Sequence, residues 1–395
     1  MADKRRECLH NMADSIIGTD TAGMNSLQRF LAVMECQPCD RVPNWELGTW
    51  PQTQQRWIEE GLTAGSISWD WFTGEPKLGM DHREFIAFTG SLVPPFEPEV
   101  LEEDERTEVV RDASGRIRRA LKEGAIGQGR ASMDQYLRFV VENRDDWREV
   151  SKRFDPTHPG RLEPGWQQQL PRWREREVPL VFGPNMQTMG FYWMAREMMG
   201  TENLSFAWYD QPELMHEMMD FWGNFLIEAA RPVIEKTDLE YINLSEDMAM
   251  KNGPLLGPET YRTFIFPHMR RVVEFYKSHG VRHVFVDTDG NPEMLIPLLM
   301  NAGVDLIWPL ERTADQDPIR LRKKFGRSLR LSGGVDKRVL ALGPEAIDAH
   351  LRQLLPLVAE GGYIPTVDHT VPPDVSWDSF RYYMDAKQKL LEGTL

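Results

Sequence analysis

The chain has 395 residues, of which 41% are hydrophobic and 27% charged, so it can bury a sizeable core and is not expected to be intrinsically disordered. No apolar run is long enough to span a membrane as a helix. The net charge of -15 argues against binding to the phosphate backbone of a nucleic acid. A charged N-terminus without a long apolar run, together with only three cysteines, predicts a protein of the reducing cytoplasm.

In the first half of the chain, residues 41–47 are predicted as a strand, and residues 83–88 are the best candidate for another. Residues 96–120 carry an acidic run and alternating segments around Ala-Ser-Gly, which predict an exposed, inserted hairpin. Residues 155–177, rich in Pro, Trp and Arg, are predicted as a long connecting loop.

The second half alternates short apolar runs with helical stretches. Strands that are apolar throughout and alternate with helices are typical of a parallel sheet covered on both faces. The predicted strands are 178–183, 239–245, 283–288, 304–309, 328–332 and 363–367. Seven or eight such units predict an α/β fold of the (β/α)8 TIM-barrel type. We expect a single domain over 1–395, with an insertion-rich region at 63–177.

The ends of these strands carry mostly acidic side chains. In a parallel barrel the C-terminal strand ends form the mouth where substrates bind. Like charges that converge there need a cation, shared protons or a cationic substrate. Some could instead be helix N-caps, which suits Asp336 in particular. The set is Glu46, Glu246, Asp247, Asp287, Asp289, Glu311, Asp336 and Asp368, with His369 beside the last.

The sharpest local feature is a pair of carboxylates, Asp287 and Asp289, at positions i and i+2 where a strand ends. With Glu246 and His369 from neighbouring strands they could hold a metal ion. Carboxylates with one imidazole suit Zn²⁺, whereas a purely oxygen set suits Mg²⁺ or Mn²⁺. The same D-x-D-G sequence is also typical of an Asx turn, so both interpretations stay open.

Several stretches resemble the uroporphyrinogen decarboxylase (URO-D) superfamily, and more particularly its methyltransferase-like branch. They are RVPNWE at 41–46, the segment 246–271, VDTDGN at 286–291, WPLE at 308–311, LSGGVDKRVLA at 331–341 and the segment 361–383. The resemblance implies a (β/α)8 barrel that binds its substrate at the C-terminal mouth.

Two activities occur in that superfamily. Its decarboxylases act on a tetrapyrrole without a cofactor, and an arginine pair after the first strand holds the substrate carboxylates. This chain has ELGTWPQTQQRW at 46–57 instead, so the arginine pair is missing. A uroporphyrinogen decarboxylase-type lyase is therefore the alternative, and a non-catalytic tetrapyrrole or corrinoid interaction module is a third hypothesis.

The methyltransferases of the superfamily bind zinc and exchange a methyl group with a corrinoid protein. The His and Cys ligands of the thiol-alkylating members align with Asp287 and Asp289, and their last Cys aligns with His369. The resemblance to the demethylating members implies a zinc-dependent enzyme. It would move a methyl group from a small methyl ether or methylamine to a separate corrinoid protein docked at the barrel mouth. A homodimer is left open.

The resemblance also assigns roles to residues. A zinc ion held by Asp287, Asp289, His369 and Glu246 would act as a Lewis acid on the ether oxygen. Tyr192 and Tyr363 are expected to orient the substrate or donate a proton, alongside the catalytic carboxylates. The substrate contacts expected are Glu46, Asn185, Glu311 and Asp368.

Overall fold

In the computed structural model the chain has an α/β fold around a curled parallel sheet. The structure describes residues 15–18, 23–122, 125–126, 129–130, 134–183 and 188–395. Its strands are β1 Glu84–Ile86, β2 Glu99–Glu103, β3 Thr107–Arg111, β4 Ile117–Leu121, β5 Ala125–Ile126, β6 Gly129–Arg130, β7 Gln135–Arg138, β8 Leu180–Phe182, β9 Thr188–Met189, β10 Tyr241–Ser245, β11 Ala249–Met250, β12 Gly253–Pro254, β13 His283–Asp287, β14 Leu306–Trp308, β15 Arg330–Ser332 and β16 Tyr363–Ile364.

Helices follow most strands of the parallel sheet. The α-helices are α1 Ser26–Met34, α2 Pro51–Glu59, α3 Arg144–Ser151, α4 Leu170–Arg174, α5 Phe191–Met199, α6 Thr201–Asp210, α7 Pro212–Ile234, α8 Pro258–Thr260, α9 Phe266–Ser278, α10 Ile296–Asn301, α11 Pro318–Phe325, α12 Lys337–Leu340, α13 Pro344–Glu360 and α14 Trp377–Leu391. Over the described ranges, no helix combines the length and apolar character needed to cross a membrane.

The parallel sheet has the strand order β1-β8-β10-β13-β14-β15-β16, and β9 also pairs with β10. All of these pairs are parallel, which confirms the six strands predicted in the second half of the chain. The candidate at 83–88 is also confirmed, because β1 pairs in parallel with β8. The sheet is curled into a half-barrel, and its strands are almost entirely buried.

The strand predicted at 41–47 is wrong, although this segment does join the two ends of the sheet. Pro43 has no N–H to donate, and the amide of Val42 bonds to Leu391 at the end of α14, so no regular ladder forms. On one side the amide of Asp81, just before β1, donates to Asn44 O. On the other side the amide of Val371, after β16, donates to Gly48 O.

The region predicted as an inserted hairpin lies in a separate four-stranded antiparallel sheet with the order β2-β3-β4-β7. Both edge strands, β2 and β7, are exposed along their whole length. The predicted loop at 155–177 is more structured than expected, because it contains two short 3₁₀ turns and α4.

Residues 41–48, which connect the two ends of the sheet and are called the joining segment, are held in place by a buried ion pair. Glu46 Oε1 accepts hydrogen bonds from Tyr383 OH and Lys387 Nζ, both at 2.6 Å, and Oε2 accepts from the amide of Val367 at 2.9 Å. The side chains of Glu46 and Lys387 are 1% and 0% exposed. Glu46 therefore attaches the joining segment to the end of β16 and to α14.

Replacing Lys387 by Met should lower the free energy of unfolding by about 3–5 kcal/mol, because Glu46 is left as a buried and uncompensated carboxylate. Urea denaturation followed by circular dichroism measures the effect. Lys389→Met, which removes an exposed lysine from the same helix, should change stability by less than about 0.5 kcal/mol. Equal losses in the two variants would contradict the assigned role.

Candidate active site

The central acid of the mouth is Asp287, the last residue of β13. It lies in register with Ser245 on β10 and with Trp308 on β14. Ser245 Oγ donates a hydrogen bond to Asp287 Oδ2 at 2.9 Å. Burial, and next the charge of Asp289, raise the pKa of Asp287 to about 8. At neutral pH this carboxyl therefore carries its proton and can act as a general acid.

Next to this acid, the side chains of Asp289 and His369 contact each other, with His369 Nε2 at 3.4 Å from Asp289 Oδ2. The hydrogen bond to Asp289 raises the pKa of His369 above its ordinary value. The turn that presents Asp289 requires the glycine that follows it. Gly290 has φ +73°, and a Cβ there would lie 2.6 Å from Ala249 O.

Two further carboxylates of the mouth bind backbone amides and share a lysine. Glu311 Oε2 accepts from the amide of Gly290 at 2.9 Å, and Asp368 accepts from the amides of Arg312 and Lys337. The ammonium of Lys337 lies 3.4 Å from Glu311 Oε1 and 4.0 Å from Asp368 Oδ1. Both acids were predicted to bind substrate, but Asp368 is fully buried by these contacts.

Three of the remaining strand-end carboxylates are neutralised by cations of the chain. Asp247 pairs with Arg196 at 2.6 Å, and Glu46 is held by Lys387 as described above. Asp336 pairs with Arg338 at 2.7 Å and is the N-cap of α12, so its interpretation as a cap is confirmed. Of the eight predicted mouth carboxylates, Asp287 alone has neither a basic side chain within 4.0 Å nor a backbone amide donor in the described part of the chain.

Glu246 faces the start of α5 rather than the mouth. Its oxygens accept hydrogen bonds from the amides of Phe191 at 3.0 Å and Tyr192 at 2.7 Å. Gly190 allows this approach, since a Cβ there would lie 2.4 Å from Glu246 Cδ. Burial raises the pKa of Glu246 to about 7. The carboxyl caps the helix, so it does not join Asp287 and Asp289 as the predicted fourth ligand.

The positions of these side chains determine whether they could bind a zinc ion together. Across the ranges that the structure describes, no three His, Cys, Asp or Glu side chains are placed so that they could hold one metal ion. Asp289 and His369 contact each other, whereas both oxygens of Glu246 are engaged by amides. The described residues therefore do not fit the four-ligand site predicted from the sequence.

Three of the other predicted residues are buried, and two of them are already hydrogen-bonded within the chain. Tyr363 donates its hydroxyl to Gly333 O at 2.7 Å and is fully buried. Tyr192 is also buried, and its hydroxyl has no hydrogen-bond partner in the described chain. Both oxygens of Glu46 are engaged, which leaves none for a substrate. Asn185 lies outside the described residues.

Three residues of the mouth were missed. Ser245 directly precedes Glu246 at a strand end, and Lys337 directly follows Asp336. A search of the strand ends for all polar side chains, rather than for acids alone, would have found both. Arg196 lies on α5, and no signal in the sequence links it to Asp247.

Comparison with known proteins agrees with this barrel-like arrangement. A family model described as uroporphyrinogen decarboxylase (URO-D) matches residues 187–390. The uroporphyrinogen decarboxylase of Nocardia farcinica is 26% identical over 175 residues, which cover 42% of this chain and 46% of that protein. The enzyme of Crocosphaera subtropica is 24% identical over 182 residues, covering 46% and 49%. The matches thus span about half the length of these curated relatives.

A solved structure, titled as a methyltransferase from Methanosarcina mazei, superimposes with a TM-score of 0.57. The alignment covers 93% of this chain and 99% of that one, at 13% sequence identity. At this identity the likeness shows a shared fold.

Relative to the wild type, the variant Glu246→Gln should gain stability as the pH rises from about 5 to 7, and the difference should level off above that pH. The pKa of the folded state, about 7, lies above that of an unfolded glutamate. The wild-type stability contributed by the protonated carboxyl is therefore present at low pH and lost as the pH rises through 7, whereas Gln does not ionise. We expect a relative gain of order 1–3 kcal/mol in urea unfolding at the higher pH.

The exposed variant Glu259→Gln is the control and should show no such trend. A difference between Glu246→Gln and wild type that stays constant from pH 5 to 8 would contradict the assignment.

Proposed function

The chain belongs to the uroporphyrinogen decarboxylase (URO-D) family, and we propose that it acts as a methyltransferase. It would move a methyl group from a small methyl ether or methylamine to a separate corrinoid protein. The observation that carries this proposal is Asp287, a protonated carboxyl at the mouth that no cation of the described chain neutralises.

A methyl ether needs such an acid. When its C–O bond breaks, both bonding electrons stay on oxygen, and the resulting alkoxide leaves more readily if it receives a proton. We propose that Asp287 donates that proton, while Ser245 keeps the carboxyl oriented through the bond to Oδ2. A reduced corrinoid on the partner protein would supply the electron pair for the new bond to the methyl carbon. A protonated methylamine already leaves as a neutral amine and needs no proton from the enzyme. The pH dependence of the methyl-transfer rate therefore distinguishes a methyl ether from a methylamine as the methyl donor.

The charge pairing of the mouth supports a small donor rather than a polycarboxylate. Three arginines on segments that follow sheet strands are already bound by carboxylates of this chain: Arg196 by Asp247, Arg312 by Asp317 and Arg338 by Asp336. A substrate with many carboxylates would have to break these pairs to use the three guanidinium groups. A small neutral ether requires none of them.

The alternative, a tetrapyrrole decarboxylase, is supported by the names of the curated relatives. The same neutral acid could protonate the carbon left when carbon dioxide departs. The two functions therefore differ in substrate and in their need for a methyl acceptor, and one set of assays separates them.

We expect the purified chain to be inactive alone, and to demethylate a methoxyarene once a separate corrinoid protein reduced to Co(I) is added. Absorbance spectroscopy follows methylation of the corrinoid, and chromatography follows the phenol. Donors that give better-stabilised phenolates should react faster, because the leaving oxygen carries less charge to be neutralised. Turnover of uroporphyrinogen by the chain alone, without methyl transfer, would overturn the proposal in favour of the decarboxylase.

Replacing Asp287 by Asn should slow methyl transfer from an ether by about a hundredfold or more, the usual contribution of a general acid. Wild-type activity should also fall above about pH 8, as the carboxyl loses its proton. The matched control is Asp145→Asn, at a side chain that is 88% exposed. An Asn variant with wild-type activity and the same pH profile would exclude Asp287 as the acid.

A further inference from the structure

Four consecutive strands of the sheet contribute to the acid–base group of the mouth. Asp289 follows β13, Glu311 follows β14, Lys337 follows β15, and His369 follows β16. The contact between Asp289 and His369 therefore joins two loops that are three strands apart. Glu311 and Lys337 come from the two strands between them.

A continuous set of contacts runs through these intervening residues. On the β13 side, the amide of Gly290, next to Asp289, donates to Glu311 Oε2 at 2.9 Å, and Glu311 Oε1 lies 3.4 Å from Lys337 Nζ. On the β16 side, Lys337 Nζ lies 4.0 Å from Asp368 Oδ1, and the Lys337 amide donates to the same oxygen at 3.0 Å. Asp368 directly precedes His369.

The ammonium of Lys337 has a physical reason to lie there. Glu311 and Asp368 are like charges on the two loops that flank the Lys337 loop, and their side chains are only 19% and 0% exposed, so water screens their repulsion poorly. The side chain of Lys337 is itself 19% exposed. Without the ammonium, the two carboxylates would favour a wider separation of the loops that carry them.

We propose that Lys337 is a positioning residue, which holds the loops of Asp289 and His369 in contact by bridging Glu311 and Asp368. It touches neither of these two side chains directly, and acts on the Asp289 loop through Glu311 and on the His369 loop through Asp368. Only its consequence for catalysis rests on the proposed function; the positioning itself is a property of the free protein.

Lys337→Met distinguishes positioning from a simple charge effect, because the two act on His369 in opposite directions. The charge of Lys337 by itself lowers the pKa of His369, whereas the contact with Asp289 raises it. If Lys337 positions the loops, its removal separates Asp289 from His369, and the pKa of His369 falls. If Lys337 acts only as a nearby charge, that pKa rises. Nuclear magnetic resonance of protein labelled at histidine and glycine measures both this pKa and exchange of the Gly290 amide.

We expect Lys337→Met to lower the pKa of His369 and to speed exchange of the Gly290 amide by about tenfold or more. Lys337→Arg should restore both values, and Arg338→Met, which removes the neighbouring and more exposed cation, should change neither. An unchanged or raised pKa of His369, with Gly290 exchange as in the wild type, would overturn the proposal. Lys337→Gln gives the same two readouts if the Met variant does not fold. No substrate is needed, so failure here is independent of failure in the methyl-transfer assay.

Discussion

The constraint on which this mouth depends is the convergence of carboxylates at the ends of parallel strands. A parallel sheet brings all its C-terminal ends to one edge, and a low-dielectric surrounding makes each uncompensated charge costly. The chain meets this constraint in three ways: with cations of its own, with backbone amides, and with a proton retained on Asp287. The third way differs from the others because the proton on Asp287 can be transferred to another group.

The difference between the carboxylates that bind cations or amides and the carboxyl that keeps its proton explains why the mouth combines rigid and reactive groups. Carboxylates that bind arginine or backbone amides hold loops in place, as Asp247 and Asp336 do. Their negative charge is neutralised by these structural contacts. Among the residues that the structure describes, the one hydrogen-bond partner of the Asp287 carboxyl is the hydroxyl of Ser245, which orients the carboxyl without neutralising it. The pKa is raised because burial disfavours the anion and Asp289 adds a like charge.

The sequence was sufficient to predict the parallel strands and the side chains at their ends, because both follow from local patterns of apolar residues and turns. It was insufficient for the direction in which each side chain points. Glu246 and Asp287 looked equivalent as acids at the ends of adjacent strands, yet one faces a helix start and the other the mouth. The segment around Pro43 was misassigned for a related reason, since its hydrogen bonds go to distant partners that a local pattern does not show.

The segment that joins the ends of the sheet has a consequence for how the chain matures during synthesis. Glu46 is translated long before the residues that bind its oxygens, Val367, Tyr383 and Lys387, which follow it by 321, 337 and 341 residues. Before these residues are made, the Glu46 carboxylate has none of its native partners, and burying it alone would be costly. The joining segment can therefore take its native position against β16 and α14 only after α14 has been translated.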